Sequence, residues 1–233
     1  MYTDLNMKTK SNLTNKIYLV GLFSIAGFVL SQIAFTKLVG STVSFTLFDF
    51  FAPTTGAFLG GGLGVISVLT VNLVNFIIKG ALFSPAGLGR IITNLFAVWY
   101  FSSKVKNKNV LAIPILAMVL FWLNPVGREV WYYALFWTIP VIAYLKRDNL
   151  FLKSLGATFT AHAVGGAIWI WTMGLPATVW RAIIPLTAIE RISFAFGISA
   201  SYVIMTYALK YLEAKNIIPA GLKIKASTKH IYS

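Results

Sequence analysis

Oily runs separated by short polar breaks repeat along the whole chain. Apolar segments cover Ile17–Leu38, Gly56–Ile78, Leu88–Ser102, Asn109–Leu123, Val130–Leu145, Leu150–Met173 and Pro185–Tyr211. About 20 apolar residues cross a bilayer core as a helix; several of these runs are shorter. Ten-residue segments of strictly alternating polarity, the mark of a membrane barrel, are missing. The pattern predicts an all-α, polytopic membrane protein with six to eight transmembrane segments. Residues 17–211 form one helical domain, between a polar tail over 1–16 and a basic tail over 212–233. The first segment, about 22 apolar residues after Lys16, is longer than a signal-peptide core and reads as a retained helix.

Charge placement fixes an expected topology. The chain has 20 basic and 6 acidic residues, and only 11% of its side chains are charged, against about 25% in soluble domains. Its formal charge of +14 is not a nucleic-acid footprint, because the basic residues cluster between oily runs. The clusters are Lys8/Lys10/Lys16, Lys104/Lys106/Lys108, Lys146/Arg147/Lys153 and Lys210/Lys215/Lys223/Lys225/Lys229. Basic loops stay cytoplasmic, so an even number of crossings separates each pair of clusters. Turns at Asn124–Glu129 and Gly174–Arg181 satisfy the later pairs. Between Lys16 and Lys104 only three runs are evident, so parity demands a break in the glycine-rich stretch Phe48–Gly80. "APTTG" (Ala52–Gly56) offers one, since proline removes a helix hydrogen bond and glycine accepts turn geometry. Val43–Ala52 then becomes a short or re-entrant segment, and both termini lie inside. The competing arrangement has seven spans and an external N-terminus. With no cysteine, disulfides and thiolate chemistry are excluded.

Two stretches resemble a known family. "APTTGAFLGGGLGVISVLTVNLVNFI" followed by "KGALFSPAGLGRIITNLFAVWYFSSK" is similar to the first half of the substrate-binding S components of energy-coupling factor vitamin transporters, with "FSPAG" (Phe83–Gly87) in their outer loop. "LPATVWRAIIPLTAIERISFAFG" resembles their last loop and helix. The chain departs from that pattern at Gly27-x-x-x-Ser31, where the family has paired alanines. It also has Asn72 or Asn75 in place of an aspartate, and more segments than the usual six. The resemblance implies a subunit that takes up a small solute, a vitamin or precursor, at the outer face of the plasma membrane. Its implied partners are a shared transmembrane coupling subunit and cytoplasmic ATPases. The chain itself has no phosphate-binding loop of the Gly-x-x-x-x-Gly-Lys-Ser/Thr type.

Polar residues inside apolar runs are the candidate site. Asn72, Asn75 and Lys79 share one helical face, and Arg90 and Asn94 sit four apart on the next segment. Buried amides need a partner, either a ligand or another helix. Arg90 is placed to clamp a carboxylate or phosphate, or to reach for headgroups. His162 shares a face with Gly165, Gly166 and Trp169, and intramembrane ionisable residues are functional candidates. Either it meets a solute, with Trp169 as an aromatic wall, or it bonds a neighbouring helix. Glu190 and Arg191 point about 100° apart on a helix and are not expected to pair directly. One of Asp49 and Glu190 is expected to be structural and the other to touch ligand. Arg181 and Trp180 lie near the same outer end. Gly56, Gly60 and Gly64 recur every four residues as a small face, for partner docking or internal packing. With one histidine in the membrane region and His230 in the tail, no metal site or cofactor is expected. The other readings are an integral membrane enzyme using His162, Glu190 and Arg191 on a lipid-linked substrate, and a non-catalytic assembly subunit.

Overall fold

The computed structural model describes residues 2–37, 44–78, 85–103 and 108–217, the side chains of 2–13, 85–88 and 90 excepted. These residues are mostly helical, with one small ribbon and short turns between elements. Helix α1 (Tyr2–Leu30) leads into antiparallel strands β1 (Ala34–Lys37) and β2 (Ser44–Thr46). Then come α2 (Leu47–Leu59), α3 (Gly61–Ile78), α4 (Pro85–Ser102), α5 (Ala112–Leu123), the short α6 (Pro125–Glu129), α7 (Ile139–Leu145), α8 (Leu150–Thr172), the short α9 (Ala177–Ala182) and α10 (Ile184–Ala214). Short 3-10 stretches precede α5 (Lys108–Leu111) and α7 (Trp131–Thr138). Among the described residues two helices, α3 and α10, are long and apolar enough to cross a membrane by length and composition.

Several boundaries correct the expectations. The stretch Phe48–Gly80 does break into two helices, but at Gly60 and not at Ala52–Gly56. Gly60 has φ 83°, a conformation costly for any residue with a Cβ. Pro53 instead lies inside α2. It deprives one carbonyl of its usual N–H partner, yet Phe51 to Thr55 are buried on all sides, and packing overrides the local cost. The Thr54 and Thr55 hydroxyls donate to the carbonyls of Phe51 and Ala52 at 2.6 and 2.7 Å. The polar N-terminal tail proves helical from Tyr2, as no proline interrupts residues 2–30. The first apolar run stops being helical at Leu30, where Ser31 turns back to donate to the Phe28 carbonyl. The β-branched and aromatic residues after it form the ribbon, which pairs Ala34 with Thr46 and Lys37 with Ser44.

The break also changes the meaning of the glycine face. Gly56, Gly60 and Gly64 do not share one helix. A Cβ on Gly56 would stand 2.5 Å from the Val98 carbonyl oxygen of α4, and one on Gly64 would stand 3.0 Å from Gly56. Those two glycines therefore let α2 press against α4 and α3. Only Gly60 faces open space.

Helix α8 packs against α4, α5, α7 and α10, while α2 packs against α3, α4 and α10. Two apolar cores result. One surrounds Phe23, Phe51, Phe101 and Tyr202; the other surrounds Phe121, Tyr133, Trp137 and Trp180. The bundle has two distinct ends. At one, Gly61 neighbours Ser102, and Arg147 donates to the Tyr100 carbonyl at 2.8 Å. Arg147 is buried there over the Tyr100 and Tyr144 rings. At the other end lie the ribbon, α6 and α9.

Candidate functional site

Toward the ribbon end, between the two cores, lies a cavity of about 110 Å³. It is walled by α2, α4, α8 and α10, with contributions from β2, the 3-10 stretch before α7, and α9. Its surface is mostly aromatic and aliphatic, with a few convergent polar groups, which is the usual makeup of a small-molecule site.

Of the ligand-binding candidates from sequence, Asn94, His162, Trp169 and Glu190 meet there, beside Asp49, Gly165, Gly166, Trp180 and Arg191, which the sequence also singled out. Asn94 is committed to structure. Its amide donates to Asp49 Oδ1 at 3.0 Å, while Asp49 Oδ2 accepts the Thr46 backbone N–H at 2.6 Å. Asp49 thus caps α2 at the N-terminal end, where the helix dipole favours a negative charge, and ties α2 to α4. Of the two carboxylates, Asp49 is the structural one.

His162 is also fully engaged. The Trp137 indole N–H donates to His162 Nδ1 at 3.0 Å. That assigns the ring proton to Nε2, which lies 3.1 Å from the Tyr133 hydroxyl; Tyr133 in turn lies 3.0 Å from Thr187 Oγ1. The chain Trp137–His162–Tyr133–Thr187 links the 3-10 stretch, α8 and α10. Gly166 leaves the space Trp137 occupies, since a Cβ there would collide with its indole. The imidazole lines the cavity as a strut, with both nitrogens in use.

Glu190 and Arg191 differ from expectation in one respect. Glu190 Oε2 lies 3.4 Å from Arg191 Nη2, because the long guanidinium arm folds back along α10 to its neighbour. The contact is weak by its length. Arg191 Nη1 reaches Thr158 Oγ1, again at 3.4 Å. The guanidinium, only 4% exposed, is held chiefly by ring faces, with its centre 4.1 Å from Phe194 and 4.9 Å from Phe45. Phe35 and Phe50 complete that aromatic cluster against Phe194. Arg191 Nε, Trp169 Nε1 and Trp180 Nε1 are buried and meet no acceptor among the described residues. All three residues line the cavity.

The remaining candidates lie elsewhere. Asn72 donates to the Ile91 carbonyl at 3.1 Å, and Asn75 donates to Ser31 Oγ at 2.8 Å and accepts from Gln32 at 2.9 Å. Both amides bind α3 to its neighbours. Arg181 pairs with Glu129 on the surface, and that hydrogen bond raises its already high pKa. The Arg90 side chain and Lys79 fall outside the described residues. Tyr133, Thr158, Thr187 and Phe45 join the cavity without having been singled out. The spacing of Thr158 four residues before His162 was the available signal for one of them.

No family model matches the chain, and no solved structure matches it significantly. Among curated proteins it is similar to an uncharacterized protein of Methanocaldococcus jannaschii, 27% identical over 217 residues that cover 81% of this chain and 73% of the relative.

Proposed function

We propose that the chain is a multi-pass membrane subunit that binds a small solute, a vitamin or precursor, in this cavity for uptake driven by partner ATPases. The observation that carries the reading is the mostly apolar cavity on which His162, Trp169, Glu190 and Arg191 converge.

The membrane part of the reading rests on what covers the molecule. Ile25, Ile77, Leu123, Ile142, Ile189, Phe196 and Ile204 are each more than half exposed, whereas Arg147 and Arg191 are buried. Apolar outside and charged inside suits a bilayer, since soluble proteins rarely expose large apolar patches. Helix α2, 13 residues long, rises about 20 Å at 1.5 Å per residue, too little to span about 30 Å alone. It lies buried among other helices, where a short segment is tolerated. Counted with α2, the crossings bring Lys16, Ser103, Lys146 and Lys215 to one side, as basic clusters require. The cavity then belongs to the outer half, with Gly60 at the cytoplasmic end. The enzyme reading loses support because its histidine has no free nitrogen.

Thermal-shift screening of the purified chain in lipid nanodiscs tests the proposal. A vitamin or precursor should raise the melting temperature of the wild-type chain, and Glu190→Gln or Arg191→Lys should abolish the shift. A shift that survives both substitutions contradicts the cavity as the site.

A further inference from the structure

We infer that the C-terminal end of α10 is an anionic-lipid site, at which Lys210, Lys215 and the lysines that follow hold the phosphates of acidic headgroups. This rests on the membrane part of the proposed function and is independent of solute capture.

Helix length places the site. Helix α10 has 31 residues, about 46 Å at 1.5 Å per residue, against a hydrocarbon core of about 30 Å. Arg191 Nη1 lies 3.4 Å from Thr158 Oγ1, and Ser199 donates to Ser154 Oγ at 3.0 Å, so α10 runs antiparallel to α8. Helix α8 begins only at Leu150, and the last turns of α10 pass it by roughly ten residues. They are not a loose end, because Leu209 is buried in the core around Phe101 and Tyr202.

The outer face of α10 grades from oil to charge. Ile189, Ile192, Phe196, Ile204, Tyr207 and Tyr211 are all exposed, and at about 100° per residue they share one face. Lys210 and Lys215 flank the end of that face and are exposed. The Lys215 ammonium stands 5.9 Å from the centre of the Tyr211 ring. Aliphatic side chains, then tyrosines, then lysines follow the order of hydrocarbon, interface and headgroup in a leaflet. A surface for nucleic acid or an acidic protein has no reason to continue an aliphatic stripe, so the geometry favours lipid.

Charge supplies the attraction. Beyond Tyr207 the chain holds five lysines and a single acid, Glu213. Glu213 is two residues from both Tyr211 and Lys215, which turns it about 200° away from each on the helix. Neither Lys210 nor Lys215 pairs with a carboxylate among the described residues. Basic clusters of this size beside a membrane helix attract acidic lipids, each lysine near the surface strengthening attachment about fivefold.

The test uses the full chain in neutral detergent micelles. Ala214 is exposed and lies between the tyrosines and Lys215 on the same face. Ala214→Cys, in a chain without cysteine, takes an environment-sensitive dye at one place. Dioctanoyl phosphatidylglycerol, dioctanoyl phosphatidylcholine, inorganic phosphate and a single-stranded oligonucleotide are titrated separately. Phosphatidylglycerol should shift the emission at concentrations about tenfold or more below phosphatidylcholine, and salt should weaken its effect. Adding Lys210→Gln and Lys215→Gln together should weaken the response to phosphatidylglycerol about tenfold or more. Equal responses to the two lipids, or a phosphatidylglycerol titration unchanged by the two glutamines, overturns the site. A response to inorganic phosphate at the concentrations where phosphatidylglycerol acts identifies a free-anion site and overturns it too, as does a response to the oligonucleotide alone. Release of the wild-type chain from native membranes by carbonate washing overturns the site and the membrane reading together. A chain that stays in the membrane and does not discriminate the lipids overturns the site alone.

Discussion

Single residues carry the cavity's polarity, and each makes a different kind of contribution. Removing the His162 ring by His162→Ala strands the Trp137 N–H, at about 1–3 kcal/mol for a buried group left unpaired, and leaves the Tyr133 hydroxyl with Thr187 alone. The expected outcome is a lower melting temperature in nanodiscs, with solute affinity hurt less than by Arg191→Lys. If His162→Ala melts like the wild type but loses binding outright, the imidazole is a ligand group and not a strut. Asp49→Ala should cost about 1 kcal/mol for the lost cap and more for the stranded Asn94 amide. How much of this was legible varies by residue. Asn94, His162, Trp169 and Glu190 stand out because amide and ionisable groups are rare in apolar runs, and they do converge. Asn72 and Asn75 stand out equally well, yet they are satisfied by Ile91, Ser31 and Gln32. A helical face can be read from spacing; the neighbour it meets cannot. Tyr133, Thr158 and Thr187 escaped because aromatic and hydroxyl side chains are ordinary in such helices.

At the level of elements, glycine and proline positions were visible, but their roles exchanged. Pro53 looked like the breaker and is absorbed into α2, while Gly60 ends it. The difference is tertiary: the segment around Pro53 is buried, whereas Gly60 has no atom within 4 Å of where a Cβ would stand. Two substitutions separate backbone strain from packing. Gly60→Ala should cost about 1–3 kcal/mol through its positive-φ, extended backbone alone and still fold. Gly64→Leu inserts a side chain where Gly56 lies 3.0 Å away and should abolish the α2–α3 hairpin, seen as loss of the monodisperse peak in size-exclusion chromatography. Equal behaviour of the two variants would contradict the assignment of Gly56 and Gly64 to internal packing. The hairpin matters for the cavity because it sets the depth of α2, and α2 carries Asp49 and Pro53 to the cavity wall.

The whole molecule combines an apolar exterior, buried arginines and a largely apolar cavity at the ribbon end. The helical class was readable from the hydrophobic runs. The order of packing was not, because apolar helices carry little information on which neighbours they choose. The central claim is that the cavity opens to the outside of a membrane while the basic end faces the cytoplasm. The chain has no cysteine, so single cysteines report without background. Leu175 lines the cavity just before α9, and Lys146 is exposed at the opposite end. In intact cells, Leu175→Cys should react with a membrane-impermeant maleimide, and Lys146→Cys should react only after permeabilisation. Labelling of Lys146→Cys in intact cells while Leu175→Cys stays protected, or release of the chain from membranes by carbonate washing, would contradict the account.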